Sequence, residues 1–118
     1  MISQEELPVY IEQNIPELSG ICKKENACTV YDIVKQMLKY TSSSFAKHNI
    51  KATKQCLNVA EQLYRKGNRS IKNAIENVYV YSFSHAFFHN DHNLKEVLDI
   101  VPPSLFALYR RQLVNSHL

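Results

Sequence analysis

The stretch that decides the fold is residues 50–82, IKATKQCLNVAEQLYRKGNRSIKNAIENVYVYS. Its first half repeats apolar residues at spacings of three and four, which is the pattern of one face of an α-helix. Gly67 follows, where a left-handed C-terminal cap is expected, and Ser70, or Asn68 just before it, is expected to cap a second helix. The segment therefore predicts an antiparallel helical hairpin. The expected inward positions are Ala52, Cys56, Val59 or Ala60, Leu63 and Tyr64 in its first helix, and Ile71, Ala74, Ile75, Val78, Ser82, His85 and Ala86 in its second.

The segment VYVYSFSHAFF at residues 78–88 also fits a β-strand, because it is rich in β-branched and aromatic residues. However, KNAIEN at residues 72–77 leads into it without a break, and apolar side chains on nearly every face are typical of a central, buried helix. We therefore predict that the second helix of the hairpin continues through this segment.

Capping signals place the remaining helices around the hairpin. Ser3 and Glu6 predict a first helix from about Ser3 to Asn14, ended by Pro16. Thr29 and Asp32 predict a second helix that reaches about Lys47. Residues 94–101 are predicted to form a short fifth helix closed by Pro102, and Pro103 suits the first turn of a sixth. In the sixth helix the expected inward positions are Leu105, Leu108, Tyr109, Leu113 and Val114. The sequence thus predicts one all-α domain over residues 1–118, a compact bundle of five to six helices.

Composition agrees with a helical bundle and excludes other classes. The chain has 118 residues, of which 45% are hydrophobic and 21% charged, with only two glycines and four prolines. An all-β protein would need more turn residues. No apolar run approaches the roughly 18 residues of a membrane span, and the N-terminus has no signal-peptide pattern. Three cysteines without CxxC spacing suit reduced thiols. We expect a cytoplasmic protein with no membrane partner.

Few residues suggest chemistry. The segment HAFFHNDH at residues 85–92 offers His85, His89 and His92 as weak metal-ligand candidates, because imidazoles at i and i+4 can meet one ion. No further ligand and no glutamate base accompany them, so we predict no metal and no cofactor. His48 and Cys56 could form a Cys–His pair, but nothing in the sequence favours that pair over chance. We predict that the protein is not an enzyme.

Charge is unevenly distributed along the chain. Residues 20–72 contain eleven Lys and Arg against three acidic residues, a net charge of +8, whereas residues 1–19 carry −4. Such a basic segment can attract an acidic protein or nucleic acid, although it is also the ordinary solvated face of helices. The predicted basic partner-binding residues are Lys51, Lys54, Arg69 and Lys72.

Aromatic residues suggest a protein interface. Tyrosine is frequent at interfaces because its ring is apolar and its hydroxyl group forms hydrogen bonds. The second helix of the predicted hairpin is also apolar nearly all round. Buried tyrosines with satisfied hydroxyl groups are the alternative. We predict that a partner or a second copy of the chain packs on this helix. The aromatic candidates are Tyr79, Tyr81, Phe83 and Phe87.

Two segments carry a resemblance: residues 56–85, CLNVAEQLYRKGNRSIKNAIENVYVYSFSH, and residues 101–113, VPPSLFALYRRQL. Over roughly residues 50–116 the chain resembles a family of small all-helical bacterial proteins, some of which are regarded as immunity proteins of polymorphic toxin systems. The resemblance implies a cytoplasmic protein that neutralises a toxin by tight binding, and it names no catalytic residue.

Three functions therefore follow from the sequence, in decreasing order of support. The first is a non-enzymatic protein-binding module, an immunity protein or another regulator. The second is a nucleic-acid-binding accessory domain that uses the basic residues around the third helix. The third is a metal-dependent hydrolase that uses the three histidines.

Overall fold

The computed structural model describes residues 1–18, 20, 29–82 and 99–116, with side chains as far as residue 112. These residues form a bundle of helices, as predicted, and no β-strand. The helices are α1 (Leu7–Asn14), α2 (Val30–Ala46), α3 (Ile50–Lys66), α4 (Arg69–Ala74) and α5 (Pro103–Ser116). A 3₁₀ turn (Pro16–Leu18) follows α1, and a π-helix (Ile75–Val80) continues α4.

The core lies between α2, α3 and the α4–π-helix segment, and α1 and α5 pack against it. In α3 the predicted inward residues Cys56, Val59, Ala60 and Leu63 are all buried. In α5, Leu105 and Leu108 are buried as predicted, whereas the side chains of Leu113 and Val114 lie outside the described residues. Most of the predicted fifth helix also falls outside the described ranges.

The helix ends follow the capping signals in most cases. Thr29 and Asp32 form the predicted capping box of α2, and the Asn68 side chain accepts a hydrogen bond from the Ile71 N–H at 3.0 Å. Ser3 and Glu6 also make their predicted reciprocal contacts, but regular helix begins only at Leu7. Pro8 in the first turn fits this late start.

The π-helix changes which residues of the second hairpin helix face the core. Ile71, Ala74 and Ile75 are buried as predicted, but the next fully buried residue is Tyr79, whereas Val78 is only partly buried. A π-helix bonds each residue to the fifth one along, so its wider turn delays the buried stripe by one position. The prediction that Tyr79 belongs to an exposed interface is therefore wrong.

Gly67 joins α3 to α4, but not in the predicted left-handed conformation. Its backbone is extended, with φ −74° and ψ 161°. Ile2 pairs alongside it, donating its N–H to the Lys66 carbonyl at 2.7 Å and accepting from the Asn68 N–H at 2.9 Å. A Cβ on Gly67 would lie 2.8 Å from Ile71 Cβ and closer still to the Leu63 carbonyl oxygen. Glycine is needed here for space, since α3 and α4 approach too closely for a side chain. A left-handed residue does follow α2: His48, with φ 59°, lies just beyond the end of that helix.

A buried carboxylate fixes the start of α5. Glu61 on α3 is 5% exposed, and its Oε1 accepts hydrogen bonds from the Ser104 and Leu105 N–H groups at 3.0 and 3.2 Å. Pro103 has no N–H, and the Phe106 N–H bonds to the Pro102 carbonyl at 3.0 Å. All the N–H groups of the first turn are thereby satisfied, although Pro102 has no polar side chain to act as a cap. α3 supplies the cap that the α5 sequence lacks.

Replacing Gly67 with alanine is expected to destabilise the fold by about 2 kcal/mol, because the added methyl group must push apart backbone and side-chain atoms that are already packed. The free energy of unfolding in urea measures this effect. Ser70→Ala, at an exposed position three residues away, is the control and should change stability by less than about 0.5 kcal/mol. Equal stabilities of the two variants would show that the α3–α4 approach can relax.

Glu61→Gln is expected to lower the free energy of unfolding by about 1–2 kcal/mol. A carboxamide has a single acceptor oxygen and no charge to complement the N-terminus of α5. Arg65→Gln is the matched control. It removes only the long ion pair between the exposed Arg65 guanidinium and Glu61, whose nitrogen and oxygen are 4.0 Å apart, and should change the free energy of unfolding by less than about 0.5 kcal/mol. If both variants unfold at the same urea concentration as the wild type, Glu61 does not cap α5.

Candidate functional site

A groove of about 490 Å³ lies on the surface between α1 and α3. Its walls are rich in side chains that both donate and accept hydrogen bonds, and two lysines stand at one end. None of the described residues that line it is acidic. The lining residues are Tyr10, Asn14, Lys51, Lys54, Gln55, Asn58, Val59 and Gln62.

The helical repeat explains why these residues share one surface. Lys51, Gln55, Asn58 and Gln62 follow one another at spacings of four, three and four, so they form a stripe along α3. The core face of the same helix, which includes Cys56 and Leu63, points away from this stripe. On α1, Tyr10 and Asn14 are also four residues apart. The groove is therefore formed by two helix faces that are polar in sequence.

One hydrogen bond joins the two walls, and a second lies within α1. The Gln55 side-chain nitrogen donates to the Asn14 carbonyl, and the Asn14 side-chain nitrogen donates to the Tyr10 carbonyl at 2.8 Å. These bonds give the exposed C-terminus of α1 the hydrogen-bond partners that a helix end lacks. The groove is thus part of the rigid bundle and does not depend on a loop.

The groove combines an apolar floor with a positive end. Val59 is buried beneath it, and Tyr10 is half-buried on α1. Burial raises the pKa of the Tyr10 phenol, so this side chain stays neutral at physiological pH. Lys51 and Lys54 are exposed and form no ion pair with any described residue. The groove is therefore a concave surface of uncharged side chains, with the two lysines at the end nearest the start of α3.

The structure separates the predicted basic residues into two groups. Lys51 and Lys54 are exposed and line the groove, whereas Arg69 and Lys72 are exposed at the start of α4. The part of α3 from Lys54 to Lys66 lies between the groups, roughly 18 Å at 1.5 Å per residue. The four residues do not form one patch.

The predicted aromatic set is also divided. Tyr79 is fully buried, and its hydroxyl group lies 2.8 Å from Thr41 Oγ1. Tyr81 is 51% exposed. Phe83 and Phe87 lie outside the described residues, as do His85, His89 and His92. The predictions for those five residues remain predictions.

Sequence reasoning did not identify the uncharged residues of the groove. Gln55, Asn58 and Gln62 look like ordinary surface positions, and Tyr10 was assigned only to the first helix. The spacings of three and four residues between Gln55, Asn58 and Gln62 are a usable signal, because they place the three side chains on one face of a helix. The packing of α1 beside that stripe could not be read from either segment alone.

Cys56 has the environment of a core residue and not of a nucleophile. It is fully buried next to Thr41, and burial raises the pKa of its thiol to about 11. His48 is exposed at the end of α2, so the two residues do not share a site. In the part of the chain that the structure describes, no three His, Cys, Asp or Glu side chains form a group that could hold a metal ion.

The fold and the groove define the class of protein: an all-helical bundle with an amide-lined groove between two of its helices. No helix among the described residues combines the length and the apolar character needed to cross a membrane. The chain belongs to the family of a domain of unknown function, DUF7674, whose model matches residues 8–115. No curated protein and no solved structure matches the chain.

Burial of Cys56 predicts slow thiol labelling. With a pKa of about 11, roughly one thiol in a thousand is ionised at pH 8, and the sulfur has no access to solvent. In a Cys22→Ser/Cys28→Ser variant, a disulfide reagent is expected to modify Cys56 only when the bundle opens. Labelling should therefore accelerate in urea in parallel with unfolding measured by circular dichroism. Rapid labelling of the folded variant would contradict the buried placement.

Proposed function

We propose that this chain is a non-enzymatic helical protein-binding module whose binding site is the groove between α1 and α3. The observation that carries the proposal is the composition of the groove, in which carboxamides and lysines surround an apolar floor on a rigid scaffold. Concave sites that combine an apolar base with a few placed polar groups are typical binding sites.

The groove residues favour binding over catalysis. Its polar groups are amides, one phenol and two lysines, and amides do not act as general acids or bases at neutral pH. A lysine nucleophile is usually activated by burial or by a neighbouring cation in a desolvated pocket. Lys51 and Lys54 are both exposed to solvent.

The biological role that we propose is that of a bacterial immunity protein or another regulator, which neutralises a protein partner in the cytoplasm by binding it. The family resemblance described above motivates this role. The surface charge supports it, because a positive site on a rigid scaffold accelerates association with an acidic partner and discriminates against basic ones.

Nucleic acid is the alternative partner, and the exposure of Lys51, Lys54, Arg69 and Lys72 favours it. Binding through phosphate contacts would weaken steeply as salt rises. The separation of the four residues into two groups argues against nucleic acid, because they do not form one basic patch. The groove also contains one aromatic side chain, whereas single-strand platforms use several.

An affinity capture from the native host lysate at low and moderate salt tests the proposed function. We expect the tagged wild-type protein to retain one protein in stoichiometric amount at both salt concentrations. The Lys51→Glu/Lys54→Glu variant should lose most of it. Arg69→Glu/Lys72→Glu, which makes the same change of charge at the other end of α3, should retain it.

Retention of nucleic acid that is lost as salt rises would replace this proposal with the nucleic-acid alternative. Retention of no macromolecule, from cells shown to express the native chain, would contradict both functions. Circular dichroism of each variant establishes that the folded bundle is being compared.

A further inference from the structure

We propose that the occupant of the groove is an extended, acidic segment of a partner protein, held through its backbone by carboxamides and through its side chains by two lysines. This proposal rests on the proposed function, and it adds the chemistry of the ligand. The residues that carry it are Lys51, Lys54, Asn58 and Gln62 of α3 and Tyr10 of α1.

The dimensions of the groove suit a short extended peptide. Its α3 wall runs from Lys51 to Gln62, which is roughly 16 Å at the 1.5 Å rise of an α-helix. An extended chain advances about 3.3 Å per residue, so about five residues fill this length. The groove is open along one side, so such a segment can enter without any helix moving.

The carboxamides match a peptide backbone. Each Asn or Gln side chain presents one acceptor oxygen and an NH₂ donor, the same pair of groups that a peptide unit offers. Among the described residues, no side-chain hydrogen bond involves Asn58 or Gln62. They are four residues apart, so they lie about 6 Å apart along α3, close to the two-residue repeat of an extended strand. Both can therefore bond to peptide groups that face the same way.

The charges select an acidic segment. Lys51 and Lys54 provide two positive charges at one end of the groove, and no lining residue is acidic. A carboxylate beside either lysine gains an attraction, whereas a basic peptide would meet repulsion with no compensation. The apolar floor formed by Val59 and the Tyr10 ring can accept one apolar side chain of the same segment.

A labelled peptide library tests this proposal directly. The probe is a fluorescein-labelled pool of octapeptides in which Asp or Glu alternates with varied positions and one position is apolar. A matched pool has Lys in place of Asp and Glu. Fluorescence anisotropy at fixed ionic strength measures binding of each pool to the full chain. We expect the acidic pool to bind and the lysine pool not to bind.

Two pairs of variants separate the contributions of the lysine charges and of the carboxamide hydrogen bonds to peptide binding. Lys51→Glu/Lys54→Glu should weaken binding at least about tenfold, whereas Arg69→Glu/Lys72→Glu, with the same change of charge, should leave it within about threefold. Asn58→Ala/Gln62→Ala should weaken it about tenfold through the loss of two hydrogen bonds. Asn73→Ala/Asn77→Ala is the matched control, since both residues are exposed amides away from the groove.

The outcomes distinguish this inference from the proposed function. If affinity capture yields a protein partner but the groove variants bind it normally, the function stands and the groove is not its site. Equal binding of the acidic and lysine pools would contradict the proposal that the ligand is acidic. Tighter binding of a single-stranded oligonucleotide than of either pool would assign the groove to nucleic acid. Sedimentation showing a dimer that the groove variants disrupt would assign it to a second copy of the chain.

Discussion

The hydroxyl group of Thr41 is the point at which the three central helices meet. It donates to the Met37 carbonyl within α2 at 2.8 Å, so the Tyr79 hydroxyl at 2.8 Å must donate to it, and the Cys56 thiol of α3 contacts it as well. A hydroxyl group has one donor and two acceptor sites, and the bonds with Met37 and Tyr79 occupy the donor and one acceptor. An unsatisfied polar group at this depth would cost about 1–3 kcal/mol. The Thr41–Tyr79 bond therefore joins the buried face of α2 to the π-helix.

The orientation of α3 in this core also determines the outer surface. Because Cys56 faces inward, the stripe of Gln55, Asn58 and Gln62 is turned towards α1 and becomes a wall of the groove. Glu61 on the same helix reaches the start of α5 and replaces the cap that Pro102 cannot provide. α3 thus packs the core, caps a distant helix and lines the groove with three different faces. A short bundle with few glycines has little freedom to change one of these roles independently.

The sequence predicted the elements well where local signals are strong. The bounds of α2 and α3, the Thr29 capping box and the Asn68 cap all follow from spacing and side-chain chemistry over a few residues. The predictions failed where a distant contact decides. The extended conformation of Gly67 accompanies its pairing with Ile2, and the burial of Tyr79 depends on a change of helix type that α-helical periodicity does not encode. Of the groove, the exposed lysines were predicted, whereas its amide wall depends on how α1 docks.

The π-helix at Ile75–Val80 also sets the orientation of Tyr81 and Ser82, which follow it in the same helix. Its hydrogen bonds span one residue more than those of an α-helix, so the wide turn takes up one extra residue. One residue of an α-helix corresponds to about 100° of rotation. Deleting a single residue from this segment would restore a regular α-helix and leave Tyr81 and Ser82 facing as they do now, because the wide turn absorbs that extra residue. Refolding the same residues as a regular α-helix would instead turn Tyr81 and Ser82 by about that angle relative to α3. The core upstream would keep its register, while these two residues would face a different direction. The segment is therefore a place where a change in hydrogen-bond pattern, without any change in sequence, would redirect a helix face.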